Sequence, residues 1–328
     1  MRVALPWWEA ALRDARDGGE SIVLPAMEWL QGRAARRYPL ASPWREWLLE
    51  CAGLGEHVVE RFPAGPCAPL AARDGIPAGL WAVAQPVHLA AAIDHLRLVP
   101  LHDLAITAEE AEALHATIRG HLAGTGFDLE CDTPERWTLR CRDSIECSTF
   151  EPAQVVGQNV RDFMPAGRDG PAIRSLMNEI QMLLHEHPVN ERRERARRPA
   201  INSLWLWGFG PALPVVRQAL PTLATDDAWL AGLWALHGER ATAAGNSHAM
   251  LAAPGPGSLI AMTLPTAPSL ADSLREIDAG LLVAALSAVK SGRCRSLEIC
   301  LGSTVIELDA LSRWRFWRSP RSLDPVLA

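Results

Sequence analysis

Between residues 171 and 210 the chain passes from an amphipathic helix to a buried strand, and this passage constrains the fold more than any other feature. In PAIRSLMNEIQMLLHEH, Ile173, Leu176, Met177, Ile180, Leu183 and Leu184 recur on one helical face, which must be covered by a partner layer. Pro188 has no N–H and ends that helix. After a charged stretch, INSLWLWGFG is apolar on both alternating faces, as a strand covered on both sides is, and Gly208 and Gly210 close it. A helix that needs a covering layer and a strand that needs two covered faces are both compatible with the α/β class expected for this chain.

The rest of the chain alternates in the same way. Residues 1–75 hold short amphipathic helices between Gly/Pro-rich breaks. SIVLPAMEWLQGRAARR is an apolar segment leading into a helix. SPWREWLLECAGL is a helix with Ser42 as N-cap and Pro43 in its first turn. FPAGPCAPLAARDGIPAG is a loop at a domain boundary. WAVAQPVHL and DHLRLVPL are strands, and FDLECDTPERWTLRC is a second strand pair. Between the pairs, ITAEEAEALHATIRGHLAGTG is a helix with Thr107 and Glu110 as a capping box and Gly124 and Gly126 as the stop. This β-β-α-β-β order marks an α+β unit with an antiparallel sheet. Downstream, DDAWLAGLWALHGE and SLADSLREIDAGLLVAALSAVKSG are helices, and PGPGSLIAMTLP, CRSLEICLG and TVIELD supply strands.

A chain of 328 residues can bury a substantial core and holds two domains, or one with a large insertion. A net charge of −6 argues against general nucleic-acid binding, which rests on neutralising phosphates. No run reaches the roughly 18 apolar residues of a membrane span, and MRVALPWWEAALRDARDGGE does not read as a signal peptide. The seven cysteines show no CxxC spacing and are expected as free thiols packed in a reducing cytoplasm.

Chemistry-bearing side chains concentrate in HEHPVNERRERARRP, where five arginines (192, 193, 195, 197 and 198) fall within seven residues. Arginine forks suit phosphate or carboxylate, and Asn190 and Asn202 could add neutral donors. A charge run also reads as a solvated loop. Asn202 stands at the mouth of an apolar strand, where a buried amide needs partners. His185 and His187 do not share a helical face and read as helix-end residues rather than metal co-ligands. His88, Asp94 and His95 fall on a predicted hairpin with no third ligand in view, and His237 ends a helix. The tail RWRFWRSPRS alternates Arg and Trp. As a strand it sends Trp314, Phe316 and Arg318 one way and Arg313, Arg315 and Trp317 the other, and is expected to pack its aromatics inward; base stacking and partner anchoring are the alternatives. GxSxG, HExxH, P-loop and GxGxxG motifs are all absent from the sequence.

HPVNERRERARRPAINSLWLWGFG resembles the substrate-domain signature of archaeal-type cofactor-independent phosphoglycerate mutases. That signature is HPVN, then Arg, then a Pro-Ala-Asn-like element entering a strand that ends in Gly-x-Gly. The matching positions are His187, Pro188, Val189, Asn190, Arg193, Asn202, Gly208 and Gly210. Upstream, QPVHLAAAIDHLRLVPLHDLAITAEEAEAL is similar to the opening of that domain; downstream, DSLREIDAGLLVAAL resembles a helix carrying IE-x-ID. The whole chain is also similar to bacterial RpfE-type regulatory proteins, through NEIQMLLHEHPVN and INSLWLWG. The resemblance implies a reduced alkaline-phosphatase-like core, residues 1–79 and 241–328, with an inserted α+β domain over 80–240. It also implies an anion or substrate site made by His187, Asn190, Arg192, Arg193 and Asn202.

The chemistry of that family needs an N-terminal Asp-Gly metal motif, a Ser or Thr nucleophile, and later Asp/His ligands for two divalent metals. In this sequence the predicted N-terminal strand SIVLPAMEW has Pro25-Ala26 where Asp-Gly is expected. MTLPTAPSLADSL lacks the Asp…His element, SLEICLGST lacks the Asp-His pair, and Trp207 stands where those mutases carry Arg. The expectation is a non-catalytic regulatory or binding protein of the cytoplasm, with no catalytic residue, no metal and no other cofactor. Its expected partners are a small phosphorylated or carboxylate ligand and a protein, with neither nucleic acid nor membrane among them. The alternatives are an active metal-dependent mutase or phosphatase drawing on Asp94, His95 or His237, and an interaction module built on the Trp/Arg-rich tail.

Overall fold

The computed structural model describes residues 1–41, 43–54, 64–70, 79–91, 96–99, 104–155, 158–211, 218–255, 257–263, 269–315 and 317–319. They fall into two units, residues 1–59 with 217–328, and residues 60–216. The first unit begins with β1 (Arg2–Ala4), α1 (Trp8–Asp17), α2 (Pro25–Arg33), β2 (Arg36–Pro39) and α3 (Trp44–Cys51). The second holds α4 (Ala64–Leu70), β3 (Leu80–Ala91), β4 (Leu96–Val99), α5 (Ala108–Leu122), β5 (Phe127–Thr133), β6 (Arg136–Cys141), α6 (Gly170–His185), α7 (Pro188–Arg195) and β7 (Ser203–Pro211). The chain then completes the first unit with β8 (Leu223–Thr225), α8 (Ala228–Leu236), β9 (Thr242–Ala243), α9 (Ser247–Ala252), β10 (Leu259–Ala261), α10 (Leu270–Ile277), α11 (Val283–Lys290), β11 (Leu297–Cys300) and β12 (Thr304–Leu308). No helix among the described residues is long and apolar enough to cross a membrane.

The first unit is a seven-stranded sheet in the order β2-β12-β11-β1-β10-β8-β9. β11, β1, β10, β8 and β9 run parallel, and β12 and β2 add an antiparallel edge. β1 is central: Val3 lies opposite Ile260 on one side and Ile299 on the other, and all three are fully buried. Short apolar strands covered on both faces are what a parallel sheet requires. α1 buries Trp8, Ala11, Leu12 and Ala15, a helical stripe, against this sheet's core. Large side chains such as Trp8 and Leu12 each contribute about 1.5–3 kcal/mol of burial.

Three expectations change here. SIVLPAMEW is not a strand; residues 21–24 are irregular and Pro25 opens α2. The N-terminal strand is Arg2–Ala4, too short to show an alternating pattern. Pro43 is the cap residue of α3 rather than part of its first turn, and Ser42 lies outside the described residues. The helix predicted over 269–292 carries a π-helical turn at Asp278–Leu282. There Asp278 accepts from the N–H groups of Ala26 (3.1 Å) and Met27 (2.8 Å), at the electropositive start of α2. Burial raises its pKa, and these two N–H groups hold the rise down.

In the second unit β3 is the spine. It pairs antiparallel with β7 along one edge, and with β6 and then β4 along the other; β5 extends β6. α6 turns Ile173, Leu176, Met177, Ile180 and Leu184 into the core shared with Leu139, Leu204 and Leu206, while Leu183 is half-buried. Gly208 does not end β7. It sits at φ +67° beside a register shift, and a Cβ there would lie 2.8 Å from the Cβ of Ala64. Only glycine accepts both the left-handed backbone and that approach. The predicted division at residue 240 is also displaced, because β8 pairs with β10 and so belongs to the first unit's sheet.

Candidate functional site

The HPVN–Arg segment of the second unit is helical rather than a solvated loop. Pro188 ends α6 and opens α7, with His187 as the N-cap. The Nδ1 of His187 accepts from the N–H of Val189 at 3.2 Å. The neutral ring therefore carries its proton on Nε2, which donates to Thr117 Oγ1 at 3.0 Å, and that hydroxyl donates on to the Ala113 carbonyl. Burial, and then the charge of Arg192, lower the pKa of His187 and favour this neutral form.

Asn190 is buried and works as a backbone mimic. Its Nδ2 donates to the carbonyls of Leu184 (2.8 Å) and Ile201 (2.9 Å), and its Oδ1 accepts from the Ile201 N–H at 2.8 Å. It thereby ties the end of α6 to the entry of β7. Asn202 does the same at the sheet edge: Oδ1 accepts from the Leu89 N–H (2.8 Å) and Nδ2 donates to the Leu89 carbonyl (3.0 Å). The side-chain amide adds one more rung to the β3–β7 ladder.

Arg193 is 1% exposed. Its Nε donates to the Pro199 carbonyl at 2.7 Å, Nη1 to Glu110 Oε2 at 2.7 Å, and Nη2 to the Leu104 carbonyl. Arg198 reaches the other oxygen, Glu110 Oε1, at 3.2 Å. α7 ends so that both arginines can meet one carboxylate. Arg197 adopts φ +56°, its N–H donates to the Glu194 carbonyl, and the Arg198 N–H donates to the Arg193 carbonyl, which is a Schellman closure. Glu110 is also the capping-box partner of Thr107, whose N–H it accepts at 3.0 Å. Arg192 is exposed, and Arg195 pairs with Glu191 across one helical turn.

The five residues expected to form an anion site thus divide. His187, Asn190, Arg193 and Asn202 direct their polar atoms at internal partners, and Arg192 alone faces solvent. The arrangement is a strut joining α5, α6, α7 and the β3–β7 pair. Asp94 and His95 lie outside the described residues. His237 is buried at the C-cap of α8, with Nδ1 2.9 Å from the Leu233 carbonyl.

In a parallel sheet, ligands bind beyond the carboxyl ends of the strands. At that edge of the first unit β1 runs into Leu5-Pro6-Trp7-Trp8-Glu9. Leu5 and Trp8 are fully buried, and the Trp7 indole donates to the Met262 carbonyl after β10 at 2.9 Å. Glu9 Oε2 accepts from the Ser303 N–H (2.8 Å) and hydroxyl (2.5 Å) in the turn after β11. Asp226 accepts from the N–H and hydroxyl of Thr263. Asp227 caps α8 through the Leu230 N–H and pairs with Arg45 at 2.5 Å, whose guanidinium lies over Trp44 and Trp229. Each of these three carboxylates bonds a neighbour, while Glu9 Oε1 is buried with no hydrogen-bond partner among the described residues. Among the described residues no three or more His, Cys, Asp or Glu side chains converge as metal ligands. Burial pushes the thiols of Cys51, Cys147 and Cys300 up to about 11 and that of Cys141 to about 12, so these thiols stay protonated.

The predicted tail strand does not form. Residues Ser312–Trp314 make a 3₁₀ turn, Trp314 and Trp317 are 58% and 69% exposed, and Phe316 lies outside the described residues. The expectation of inward packing fails for these two indoles.

Residues 86–190 match the family model described as 2,3-bisphosphoglycerate-independent phosphoglycerate mutase. The enzyme of that name from Methanosarcina barkeri is 31% identical over 123 residues, which is 37% of this chain and 31% of the relative. That from Methanothrix thermoacetophila is 39% identical over 72 residues, 22% of this chain and 18% of the relative. The chain therefore matches less than a third of the length of these relatives. A solved cofactor-independent phosphoglycerate mutase from Thermoplasma acidophilum aligns over 88% of this chain and 82% of its own, with 17% identity and a TM-score of 0.38. The matched segment runs from within β3 to the HPVN residues of α7.

Proposed function

We propose that this chain is a non-catalytic binding protein derived from a cofactor-independent phosphoglycerate mutase, retaining substrate-domain scaffold without two-metal chemistry. The observation that carries the reading is the carboxyl edge of the parallel sheet. β1 leads into buried Leu5 and Trp8 and into Pro6. Asp226 and Asp227 bond Thr263 and Arg45, and Glu9 bonds Ser303 through Oε2 while its Oε1 is buried with no hydrogen-bond partner among the described residues. Two hydroxyls at this edge lie against carboxylates, Ser303 on Glu9 and Thr263 on Asp226, and among the described residues no group of three or more His, Cys, Asp or Glu side chains gathers as a metal cage. A regulatory role in the cytoplasm is part of this proposal.

The test is an assay for interconversion of 2- and 3-phosphoglycerate, and for phosphate release, on the pure chain with manganese or magnesium. The expected result is no turnover above the protein-free rate. Metal-dependent turnover that disappears in Glu9→Gln or Asp226→Asn would overturn the proposal in favour of the mutase or phosphatase alternative.

A further inference from the structure

Three large apolar side chains stand exposed close together in sequence just after β12: Leu311, Trp314 and Trp317 are 64%, 58% and 69% exposed. Leu311 and Trp314 bracket the 3₁₀ turn Ser312–Trp314, whose closing bond runs from the Trp314 N–H to the Leu311 carbonyl. Residues three apart stack on one side of such a turn. The turn is not a frayed end. Asp309 Oδ1 accepts from the Leu311 N–H (3.0 Å) and the Ser312 hydroxyl (2.9 Å), and Asp309 Oδ2 pairs with Arg315 at 2.9 Å. Ser312 is fully buried, and Arg315 and Arg318 donate to the Arg33 and Ala34 carbonyls at the end of α2, at 2.9 and 3.0 Å. One side of the segment is anchored while its apolar side chains face solvent.

The charge around the turn is an independent observation. The Arg313 guanidinium lies over the Trp314 ring at 5.1 Å and fills the space a Cβ on Gly292 would take, so it sits beside the loop joining α11 to β11. That loop and the helix end before it carry Lys290, Arg293 and Arg295, all exposed. Lys290 lies over Trp29 at 4.9 Å, and Arg293 donates to the Ser287 hydroxyl at 3.2 Å. None of these four cations forms an ion pair among the described residues, and the carboxylate of the turn, Asp309, is held by Arg315. In a chain of net charge −6 this is a local reversal of sign. Tryptophan and arginine dominate the anchors of protein interfaces, and the charge around an anchor selects the sign of its partner. The acidic remainder of the chain selects the partner's size. Screening confines each charge to about 8 Å at physiological salt. An extended polyanion, such as a nucleic acid or an anionic bilayer, would meet acidic surface as well as the cluster, whereas a short acidic segment meets the cluster alone.

We propose that the Leu311–Trp314 turn and the cations around it are a docking surface for an acidic segment of a partner protein. The Trp314 indole takes an apolar side chain of that segment, and Lys290, Arg293, Arg295 and Arg313 take its carboxylates. Because Asp309, Ser312 and Arg315 already hold the turn, docking costs little ordering on this side of the interface. The inference is independent of whether the carboxyl edge of the sheet is catalytic.

Binding measurements on the full chain test it, on wild type, Trp314→Ala and Arg293→Glu. The probes are a fluorescein-labelled peptide of Glu-Glu-Leu-Glu-Glu-Phe repeats and a labelled oligothymidylate of equal charge, both read by anisotropy, and phosphatidylserine vesicles read by co-sedimentation. The expected result is saturable peptide binding that weakens with added salt and falls about tenfold in each variant, with the oligonucleotide and the vesicles bound more weakly than the peptide. Both substituted side chains are exposed, so both variants should melt at the wild-type temperature; should one not fold, the other decides. No saturable binding of the peptide, binding undiminished in either folded variant, or tighter binding of the oligonucleotide or the vesicles overturns the proposal.

Discussion

Arg193→Met is the sharpest test of the strut. Methionine keeps much of the arginine stem's length and apolar contact but has no fork. Three donations disappear, to the Pro199 carbonyl, Glu110 Oε2 and the Leu104 carbonyl. They are not equal losses. Glu110 keeps Arg198 at 3.2 Å and the Thr107 N–H at 3.0 Å, and the Leu104 carbonyl keeps Arg198 at 3.3 Å. The Pro199 carbonyl loses the donor it had at 2.7 Å. Removing one partner of a buried ion pair costs about 3–5 kcal/mol. The surviving contacts to Glu110 place the expected loss near the lower bound, about 3 kcal/mol, or roughly a hundredfold in the unfolding equilibrium of the second unit. Hydrogen exchange of the β3–β7 amides, read alongside urea unfolding, measures it: opening free energy should fall at unchanged m. A double-mutant cycle with Glu110→Gln should give a coupling well above 0.5 kcal/mol, the scatter expected of independent sites. A change in stability within about 0.5 kcal/mol, the range of an ordinary surface substitution, would refute the reasoning and return Arg193 to the role of a ligand-facing cation.

Other expectations follow from single contacts. Asn190→Asp turns the amide that donates to Leu184 and Ile201 into an acceptor facing two carbonyls, and should destabilise the second unit by about 2–4 kcal/mol, read in the same exchange experiment. Gly208→Ala meets both a φ of +67° and the Ala64 Cβ at 2.8 Å, so a loss of about 1–3 kcal/mol is expected from denaturant midpoints. For His187 the folded pKa lies below the unfolded value of about 6.5, so the unfolded chain takes up the proton first. The contribution is complete above that pH and is lost as pH falls through the folded value; His187→Gln should flatten the pH dependence of unfolding over that window.

Legibility in the sequence tracked the range of the interaction. The Thr107–Glu110 capping box was readable because its partners are three residues apart, and the α6 stripe because helical periodicity is local. Glu110's second role was not readable, since Arg193 lies 83 positions away. β1 escaped because three residues between Met1 and Pro6 carry no alternation, and its strand character comes from β10 and β11, paired from more than 250 residues downstream. The π-turn at Asp278 was invisible for a similar reason: its polar partners, Ala26 and Met27, belong to a distant helix start. The tail misled because alternation of Arg and Trp satisfies a strand pattern, yet nothing in the pattern supplies the neighbouring strand that would cover the indoles.

The asparagines carry the more general point. An amide reserved for a substrate and an amide spent on backbone look identical in sequence, and both tolerate few replacements. Asn190 and Asn202 here hold backbone groups of Leu184, Ile201 and Leu89. The stretch that matches the mutase family, residues 86–190, ends on Asn190 and includes the His187 cap and Glu110. Similarity over a stretch that holds such residues transmits the architecture of the second unit, because losing any one of them leaves buried polar groups without partners. It does not transmit turnover, which in two-metal chemistry depends on carboxylates and imidazoles gathered around the ions. A chain can therefore hold the HPVN–Arg strut under full folding constraint while Pro6 and Trp8 occupy the end of its central strand, and the mutase assay on the intact chain is where those two constraints separate.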